Sequence, residues 1–167
     1  MNIRHTNEKD LDRIMEIYAH ARKFMAEHGN PNQWGPRNWP PRELIEKDMK
    51  DNHSYVCEND KGQVVGTFFY NEGEKIEPTY LNISDGKWIG SDNYGVVHRI
   101  ASDGSEKGIG SFCIGWAINK CGHLRIDTHN DNKVMQGMLK KLGFKHCGTI
   151  FVYEDNDPRM AFEWIQD

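Results

Sequence analysis

The sequence predicts a mixed α/β domain in which a twisted sheet of about six or seven strands carries roughly four helices. Apolar residues recur at helical spacing from Leu11 to Met25, after Ile109 and after Asn132. Short apolar runs alternate with these helical segments, and the early runs are joined by hairpin signals, which favour antiparallel pairing. The length of 167 residues suits one domain with a full core, so residues 1–167 are expected to form a single domain.

In the first half of the chain, capping and turn residues mark where the predicted helices and strands begin and end. Asn7 or Thr6 is available to cap the first helix, and His28-Gly29-Asn30-Pro31 ends it. Asn59-Asp60-Lys61-Gly62 is a hairpin signal between two apolar runs. The elements predicted here are an edge strand at Asn2 to Arg4, a helix from Leu11 to Met25, a helix from Pro41 to about Asp51, and strands at Tyr55 to Glu58 and Gln63 to Tyr70.

The second half alternates strands and helices more regularly. Asn71 to Lys75 is polar and is expected to be flexible, whereas Tyr80 to Tyr94 is broken by glycines and is expected to include a strand at Trp88. Gly143 stands where a left-handed helix cap is needed. The other predicted elements are a strand at Tyr94 to Ala101, a helix from Ile109 to Ala117, a strand at Leu124 to Thr128, a helix from Asn132 to Leu142, and closing strands at Lys145 to Val152 and Arg159 to Ile165.

The most informative motif is Lys107-Gly108-Ile109-Gly110-Ser111, which lies between a predicted strand and a predicted helix. Its two glycines let the backbone turn sharply into the helix, and several N–H groups are then left without an intrahelical partner. Free amides at a helix N-terminus, together with the helix dipole, bind phosphate oxygens. The loop is therefore a candidate diphosphate cradle, although a Gly-x-Gly turn before a helix is often only a tight turn.

The order strand, Gly-x-Gly, helix, strand, Asn, helix, Leu142-Gly143-Phe144 resembles that of the GNAT-type N-acetyltransferases over about Val96 to Thr149. The resemblance implies an acyl-CoA N-acyltransferase fold and acetyl-coenzyme A as co-substrate. It implies that the glycine loop holds the pyrophosphate and that Asn132 caps the last helix and reaches the cofactor's arm. The cofactor-binding residues implied are Ile100 and Ala101, through their backbone, and Lys107, Gly108, Ile109, Gly110, Ser111 and Asn132.

Two positions depart from the family's pattern and leave the proton-transfer groups open. Ser105 stands where the family usually has Gln or Arg before the loop. Leu139 stands where the family often has a Tyr that acts as the general acid. The predicted strand at Tyr94 to Ala101 also lacks the carboxylate that often serves as base. These departures motivate an alternative function, a catalytically degenerate module that senses acyl-coenzyme A.

Three side chains are candidates for proton transfer. His98 can serve as the base, because an imidazole accepts a proton near neutral pH, and strand alternation puts Tyr94 on the same face as a candidate acid. His129 follows the next predicted strand at its carboxyl end, where sites in open sheets tend to lie. Each of the three is also compatible with a purely structural role in the sheet.

The loop at residues 32–41 is expected to cover the acceptor site, as it does in the family. Trp34 and Trp39, stiffened by neighbouring prolines, would form an apolar wall for the acceptor, or else both pack into the core. Asp127, His129 and Asp131 match no known set of metal ligands, so no metal site is expected.

Composition excludes several classes of partner. The net charge of −4 and the lack of basic runs argue against nucleic-acid binding, and no apolar run is long enough for a membrane span. The charged N-terminal residues lack a signal-peptide core, so a cytoplasmic location is expected. Four cysteines, none in a Cys-x-x-Cys pair, are expected to be reduced, buried thiols, namely Cys57, Cys113, Cys121 and Cys147.

The leading hypothesis is therefore an acetyl-coenzyme A-dependent N-acetyltransferase acting on a small amine or an exposed amino group. A nucleotide-phosphate binder of another fold is disfavoured, because no Lys follows the second glycine of the loop and no Gly-x-Gly-x-x-Gly is present. A homodimer is a further hypothesis, since an exposed last strand at Arg159 to Ile165 would be free to pair with its twin.

Overall fold

The computed structural model describes residues 1–152 and 156–167. Within them, seven strands form a mixed sheet in the order β1-β2-β3-β4-β5-β7-β6, accompanied by four α-helices, which confirms the predicted fold class. The strands are β1 (Asn2–His5), β2 (Ser54–Glu58), β3 (Val64–Glu74), β4 (Asn93–Ser102), β5 (His123–His129), β6 (Lys145–Phe151) and β7 (Pro158–Ile165). The helices are α1 (Leu11–Glu27), α2 (Arg42–Lys50), α3 (Ile109–Cys121) and α4 (Lys133–Lys141).

The chain divides into two compact units. The first comprises Met1–Tyr70 with His98–Trp116, and the second comprises Asn71–Val97 with Ala117–Asp167. Three elements, β3, β4 and α3, pass from one unit to the other. The expectation of a single domain stays a prediction.

The first unit is built on an apolar face of α1. Asn7 starts the helical region, because its Oδ1 accepts from the Lys9 N–H while the Asp10 carboxylate accepts from the Asn7 N–H. A short 3₁₀ turn, Glu8–Asp10, then leads into the helix. The buried core of this unit consists of Leu11, Ile14, Ile17, Tyr18, Ala21, Trp34, Ile45, Val56 and Ala101.

The second unit is built on antiparallel pairing of the last strands. β7 pairs with β5 on one side and with β6 on the other. The prediction that the last strand is an exposed edge is therefore wrong, because the hairpin partner β6 covers its outer side and becomes the edge at that end of the sheet. The homodimer hypothesis loses this argument and stays a prediction.

Two other sequence predictions are wrong. Asn71–Glu74 is not a flexible segment but continues β3, and the Lys75 N–H beyond it donates to the Asp92 carbonyl at 2.8 Å. Trp88 does not lie in a strand. Its indole N–H instead donates to the Tyr80 carbonyl at 2.8 Å, so side-chain contacts rather than a ladder hold that segment.

The four cysteines are free thiols, as predicted. The prediction that they are buried is confirmed for Cys57, Cys113 and Cys147 and is wrong for Cys121, which lies near the end of α3 and is half-buried. Among residues 1–152 and 156–167, every helix is too short or too polar to cross a lipid bilayer.

Candidate functional site

The glycine loop lies in the first unit and leads directly into α3. Gly108 adopts a left-handed φ of 82°, and a Cβ placed there would meet no atom within 4 Å. The first hydrogen bond of the helix runs from the Phe112 N–H to the Gly108 carbonyl at 2.9 Å, so the helix does not use the amides before Phe112. Lys107 and Gly108 are exposed, while Ile109 is buried and anchors the loop.

The start of α3 also has the electrostatics of an anion site. Its first turn contains no acidic side chain, in contrast to α1 with Asp12 and α2 with Glu43. The positive end of the helix dipole is therefore not compensated from within the turn. Open space, unused amides and a free dipole are the features that a pyrophosphate requires.

A hydrogen-bonded anchor holds the loop upstream of the glycines. Asp103 accepts from the Ser105 N–H at 2.9 Å and from the Ser105 hydroxyl at 2.6 Å, and its other oxygen pairs with Arg13 of α1 at 2.5 Å. A cavity of about 780 Å³ lies beside this turn and is lined in part by Arg13, Asp103 and Ser105. Ser105, the departure from the family's pattern, thus closes the turn before the loop.

The strand before the loop bends sharply within the segment implied to polarise the thioester. Arg99 has a φ of 53° inside β4, so regular alternation of side chains is interrupted just before Ile100 and Ala101. Tyr18 of α1 is buried and its hydroxyl donates to the Arg99 carbonyl at 2.8 Å. The bend is therefore held from the helix side.

His98 lies one residue before this bend and is half-buried. Its ring centroid lies 5.5 Å from that of Phe69 on β3. The side chain is thus packed against β3 in the first unit, and it lies two residues before Ile100 in the sequence. Its role as the base stays a prediction.

Tyr94 belongs to the second unit and is 3% exposed. Its hydroxyl accepts from the Glu77 N–H at 3.3 Å, and the Arg125 guanidinium lies 4.2 Å from the ring centroid. Burial raises the pKa of Tyr94, so it is a weaker proton donor than a free phenol. This environment favours a structural role, although the assignment as an acid stays a prediction.

The turn between β5 and α4, also in the second unit, contains His129 and Asn132. The Asp131 N–H donates to His129 Nδ1 at 3.0 Å, so Nδ1 is the acceptor nitrogen of that ring. Asn132 is the N-cap of α4 as predicted, and its Oδ1 accepts from the Met135 N–H at 3.1 Å. The predicted left-handed cap at Gly143 is also confirmed, with a φ of 94°.

We expect Asn132→Ala to weaken acetyl-coenzyme A binding more than it weakens the fold. Loss of a helix cap costs about 1 kcal/mol, which a domain of this size tolerates. Acetyl-coenzyme A titration and urea unfolding measure the two effects, with Asn119→Ala, at an exposed position on α3, as the control. Unchanged affinity in the folded variant would reduce Asn132 to a cap.

The structure separates the two tryptophans of the loop. Trp34 is 7% exposed and packs edge-on against Tyr18, with ring centroids 5.7 Å apart, so it belongs to the core. Trp39 is half-buried, and its carbonyl accepts from the Arg22 guanidinium at 2.9 Å. Trp39 nevertheless packs against the same core, which favours the alternative that both tryptophans pack inward, and the apolar wall for the acceptor stays a prediction.

Leu139 is fully buried on α4 and has no ionisable group, so it supplies no proton donor. Among residues 1–152 and 156–167, no cluster of three His, Cys, Asp or Glu side chains is arranged to hold a metal ion.

Sequence reasoning missed an ion pair beside the bend of β4. Arg99 Nη2 lies 2.5 Å from the Asp48 carboxylate, and both side chains are largely buried. Asp48 is on α2, far from β4 in the sequence, so nothing local indicated the pairing. The only available signal was the position of a charged arginine directly before Ile100 in a strand that is mainly apolar.

Solved structures of known acetyltransferases share the fold of this chain. Neither a protein-family model nor a curated protein matches the chain. Among solved structures, an acetyltransferase of the GNAT family from Streptococcus agalactiae is 29% identical, with a TM-score of 0.89 over 99% of this chain and 95% of that one.

Two more distant structures share the fold. A GNAT-family acetyltransferase from Listeria monocytogenes is 16% identical, with a TM-score of 0.68 over 97% of this chain and 92% of its own. A ribosomal-protein-alanine N-acetyltransferase from Brucella melitensis is 18% identical, with a TM-score of 0.65 over 99% of both chains. From the strand order, the glycine loop that opens α3 and the near-complete match to the streptococcal protein, we conclude that the chain has the fold of the GNAT-family acetyltransferases and is similar to them over nearly its whole length.

Proposed function

We propose that this protein transfers an acetyl group from acetyl-coenzyme A to a primary amine of a small molecule or to an exposed amino group. The observation that carries the proposal is the open N-terminus of α3, where Gly108 leaves room for a ligand and the amides before Phe112 are unused by the helix. The similarity to the streptococcal GNAT-family acetyltransferase supports the same activity. The remaining residues in the proposal have roles in orienting the reactants and moving a proton.

In this proposal the amides of Lys107 to Ser111 bind the pyrophosphate, and Lys107 adds a positive charge beside it. The backbone amides after the bend of β4, at Ile100 and Ala101, polarise the thioester carbonyl as oxyanion donors do. Acetyl-coenzyme A, when bound, supplies the activated acetyl group. Asn132 is assigned to the cofactor's arm.

The acceptor amine must be neutral to attack, and His98 is the group assigned to take its proton. It directly precedes Arg99 at the bend and lies near Phe69, which leaves an imidazole beside the assigned carbonyl site. His129 is the second candidate for this role, and Tyr94 remains the candidate acid for the leaving thiolate. Trp39, with Trp34 behind it in the core, is assigned to the acceptor side.

The alternative is a sensor that binds acyl-coenzyme A without turnover, which the buried Leu139 in place of the family's Tyr favours. Thiol release from acetyl-coenzyme A, measured against a broad panel of amines, separates the two functions. Turnover with any acceptor supports the enzyme. Tight binding with no thiol release across the panel would support the sensor instead.

We expect His98→Gln to reduce the rate of transfer by about 100-fold or more, the range typical of a lost general base. In the native protein the rate should rise with pH through one ionisation, and the variant should lack that limb. Rates of thiol release across pH check this, with the exposed His28→Gln as the control. A near-normal rate with the same pH profile would show that His98 is not the base, and His129 would be the next side chain to replace.

A further inference from the structure

Arg99 is a strained residue whose conformation is maintained by its neighbours. Of the non-glycine residues in the described strands, it alone has a positive φ, at 53°. Such a conformation is unfavourable for a side chain with a Cβ and persists only where surrounding contacts impose it. Tyr18 supplies one contact, since its hydroxyl donates to the Arg99 carbonyl at 2.8 Å.

The guanidinium of Arg99 is held as firmly as its backbone. Nη2 pairs with the Asp48 carboxylate at 2.5 Å, and the guanidinium carbon lies 4.8 Å from the Phe69 ring centroid. The side chain is only 15% exposed. A planar cation that is fixed on one ring and by one carboxylate presents its remaining N–H groups in a defined direction.

Those remaining groups are not fully used. A guanidinium has five N–H donors, and Asp48 takes one from Nη2. Nε is buried and forms no hydrogen bond with any described residue. A buried N–H donor without a partner is unfavourable. A protein can retain such a donor where a bound ligand supplies the missing acceptor.

The position of Arg99 indicates which kind of ligand would accept the remaining hydrogen bonds of its guanidinium. Arg99 directly precedes Ile100, whose amide the proposed function assigns to the thioester carbonyl. The guanidinium points to α2 and β3 of the first unit, through Asp48 and Phe69. An acceptor that attacks a carbonyl at Ile100 is therefore placed one residue along the strand from Arg99. A planar fork of N–H donors matches the two oxygens of a carboxylate.

We propose that Arg99 selects acceptors that carry a carboxylate a few bonds from the amine, as an α-amino acid does. This inference rests on the proposed function, since it names the class of acceptor. Arg99 binds the carboxylate and so orients the amine toward the thioester. Asp48 and Phe69 are positioning residues that hold the guanidinium.

The first test uses the native protein and needs no variant. Thiol release is measured with α-amino acids and with the matching amines that lack the carboxylate, such as phenylalanine against phenethylamine and lysine against cadaverine. We expect kcat/KM to be at least about 100-fold higher for the carboxylate-bearing member, because a buried donor left unpaired penalises the other. Equal or better turnover of the decarboxylated amines would overturn this inference and leave the proposed function standing. Absence of thiol release with both sets, in protein that binds acetyl-coenzyme A, would overturn this inference, and the same result across the broad panel of amines would overturn the proposed function as well.

The second test uses Arg99→Lys, which keeps the charge but lacks the planar fork. We expect kcat/KM for carboxylate-bearing acceptors to fall about 10-fold or more, chiefly through KM, with acetyl-coenzyme A affinity unchanged. Arg42→Lys is the matched control, because Arg42 on α2 is 47% exposed and pairs with Asp12 at the surface. A folded Arg99→Lys protein with undiminished preference for carboxylates would contradict the inference, and if the variant does not fold, the native comparison decides.

Discussion

Gly110→Asp is expected to abolish acetyl-coenzyme A binding while leaving the protein folded. Gly110 lies in the first turn of α3, in the segment where the amides before Phe112 are unused by the helix. An aspartate there would place a carboxylate among donors meant for phosphate, and its charge would repel the ligand. The same charge interacts favourably with the helix dipole, so the helix itself is not expected to suffer.

Titration with acetyl-coenzyme A measures this effect, and a loss of at least about 100-fold in affinity is expected. Gly115→Ala is the matched control, since a Cβ at Gly115 of α3 meets nothing within 4 Å and alanine favours the helix. The central claim about the glycine loop fails if a folded Gly110→Asp protein binds acetyl-coenzyme A with native affinity.

Glu163→Gln is expected to lower the free energy of unfolding by about 3–5 kcal/mol, more than any other substitution proposed for this protein. This is the range found when one partner of a buried ion pair is removed. The Glu163 side chain is 0% exposed and accepts from Arg125 Nε at 2.9 Å, from His123 Nε2 at 2.6 Å and from the Ile89 N–H at 2.6 Å. Glutamine keeps the shape of the side chain but removes the charge that compensates Arg125.

Arg125 has no other carboxylate among its contacts in the described part of the chain. It is 1% exposed, and its guanidinium lies 4.4 Å from the Trp88 ring centroid and 4.2 Å from that of Tyr94. Its Nη2 donates to the Gly90 and Ser91 carbonyls. Those contacts orient the cation without neutralising it, so the variant would leave a buried charge uncompensated.

Urea unfolding of both proteins measures the difference in the free energy of unfolding. The control is Glu46→Gln on α2, where the carboxylate is 54% exposed and lies 3.5 Å from Arg42, and a change within about 0.5 kcal/mol is expected there. A Glu163→Gln protein as stable as the control would show that the buried pair is dispensable.

The same carboxylate predicts how stability depends on pH. Burial alone would raise the pKa of Glu163, but hydrogen bonds from His123, the Ile89 N–H and Arg125 lower it to about 2 from the ordinary 4.5. A depressed pKa means that the stabilisation is complete above pH 4.5 and is lost as the pH falls from 4.5 to about 2. Glu163→Gln should therefore show a shallower loss of stability in that window.

Local patterns predicted much of the fold because their causes are local. The helical spacing from Leu11, the Asn132 cap and the left-handed Gly143 each depend on residues within about one turn of the chain. The glycine loop belongs to the same class, since the turn at Gly108 and the unused amides of α3 arise from consecutive residues. The family resemblance rested on this local order.

The errors occurred where distant residues decide the outcome. Tryptophan is a residue type common in strands. The indole N–H of Trp88 instead donates to the Tyr80 carbonyl, and its ring stacks on the Arg125 guanidinium. β7 has the pattern of a closing edge strand, but only the hairpin with β6 determines that its outer side is paired. Strand order is a property of pairing between segments, and periodicity within one segment carries no information about its neighbours.

The candidate site divides in the same way. The sequence by itself determined the fold class, the α3 loop and the cap at Asn132, because turns, caps and periodicity are encoded by neighbouring residues. Only the tertiary structure decided the environment of Arg99, since Tyr18, Asp48 and Phe69 reach it from three separate elements. A left-handed arginine and a buried ion pair are stable only when such distant partners are assembled, and that assembly is a product of folding.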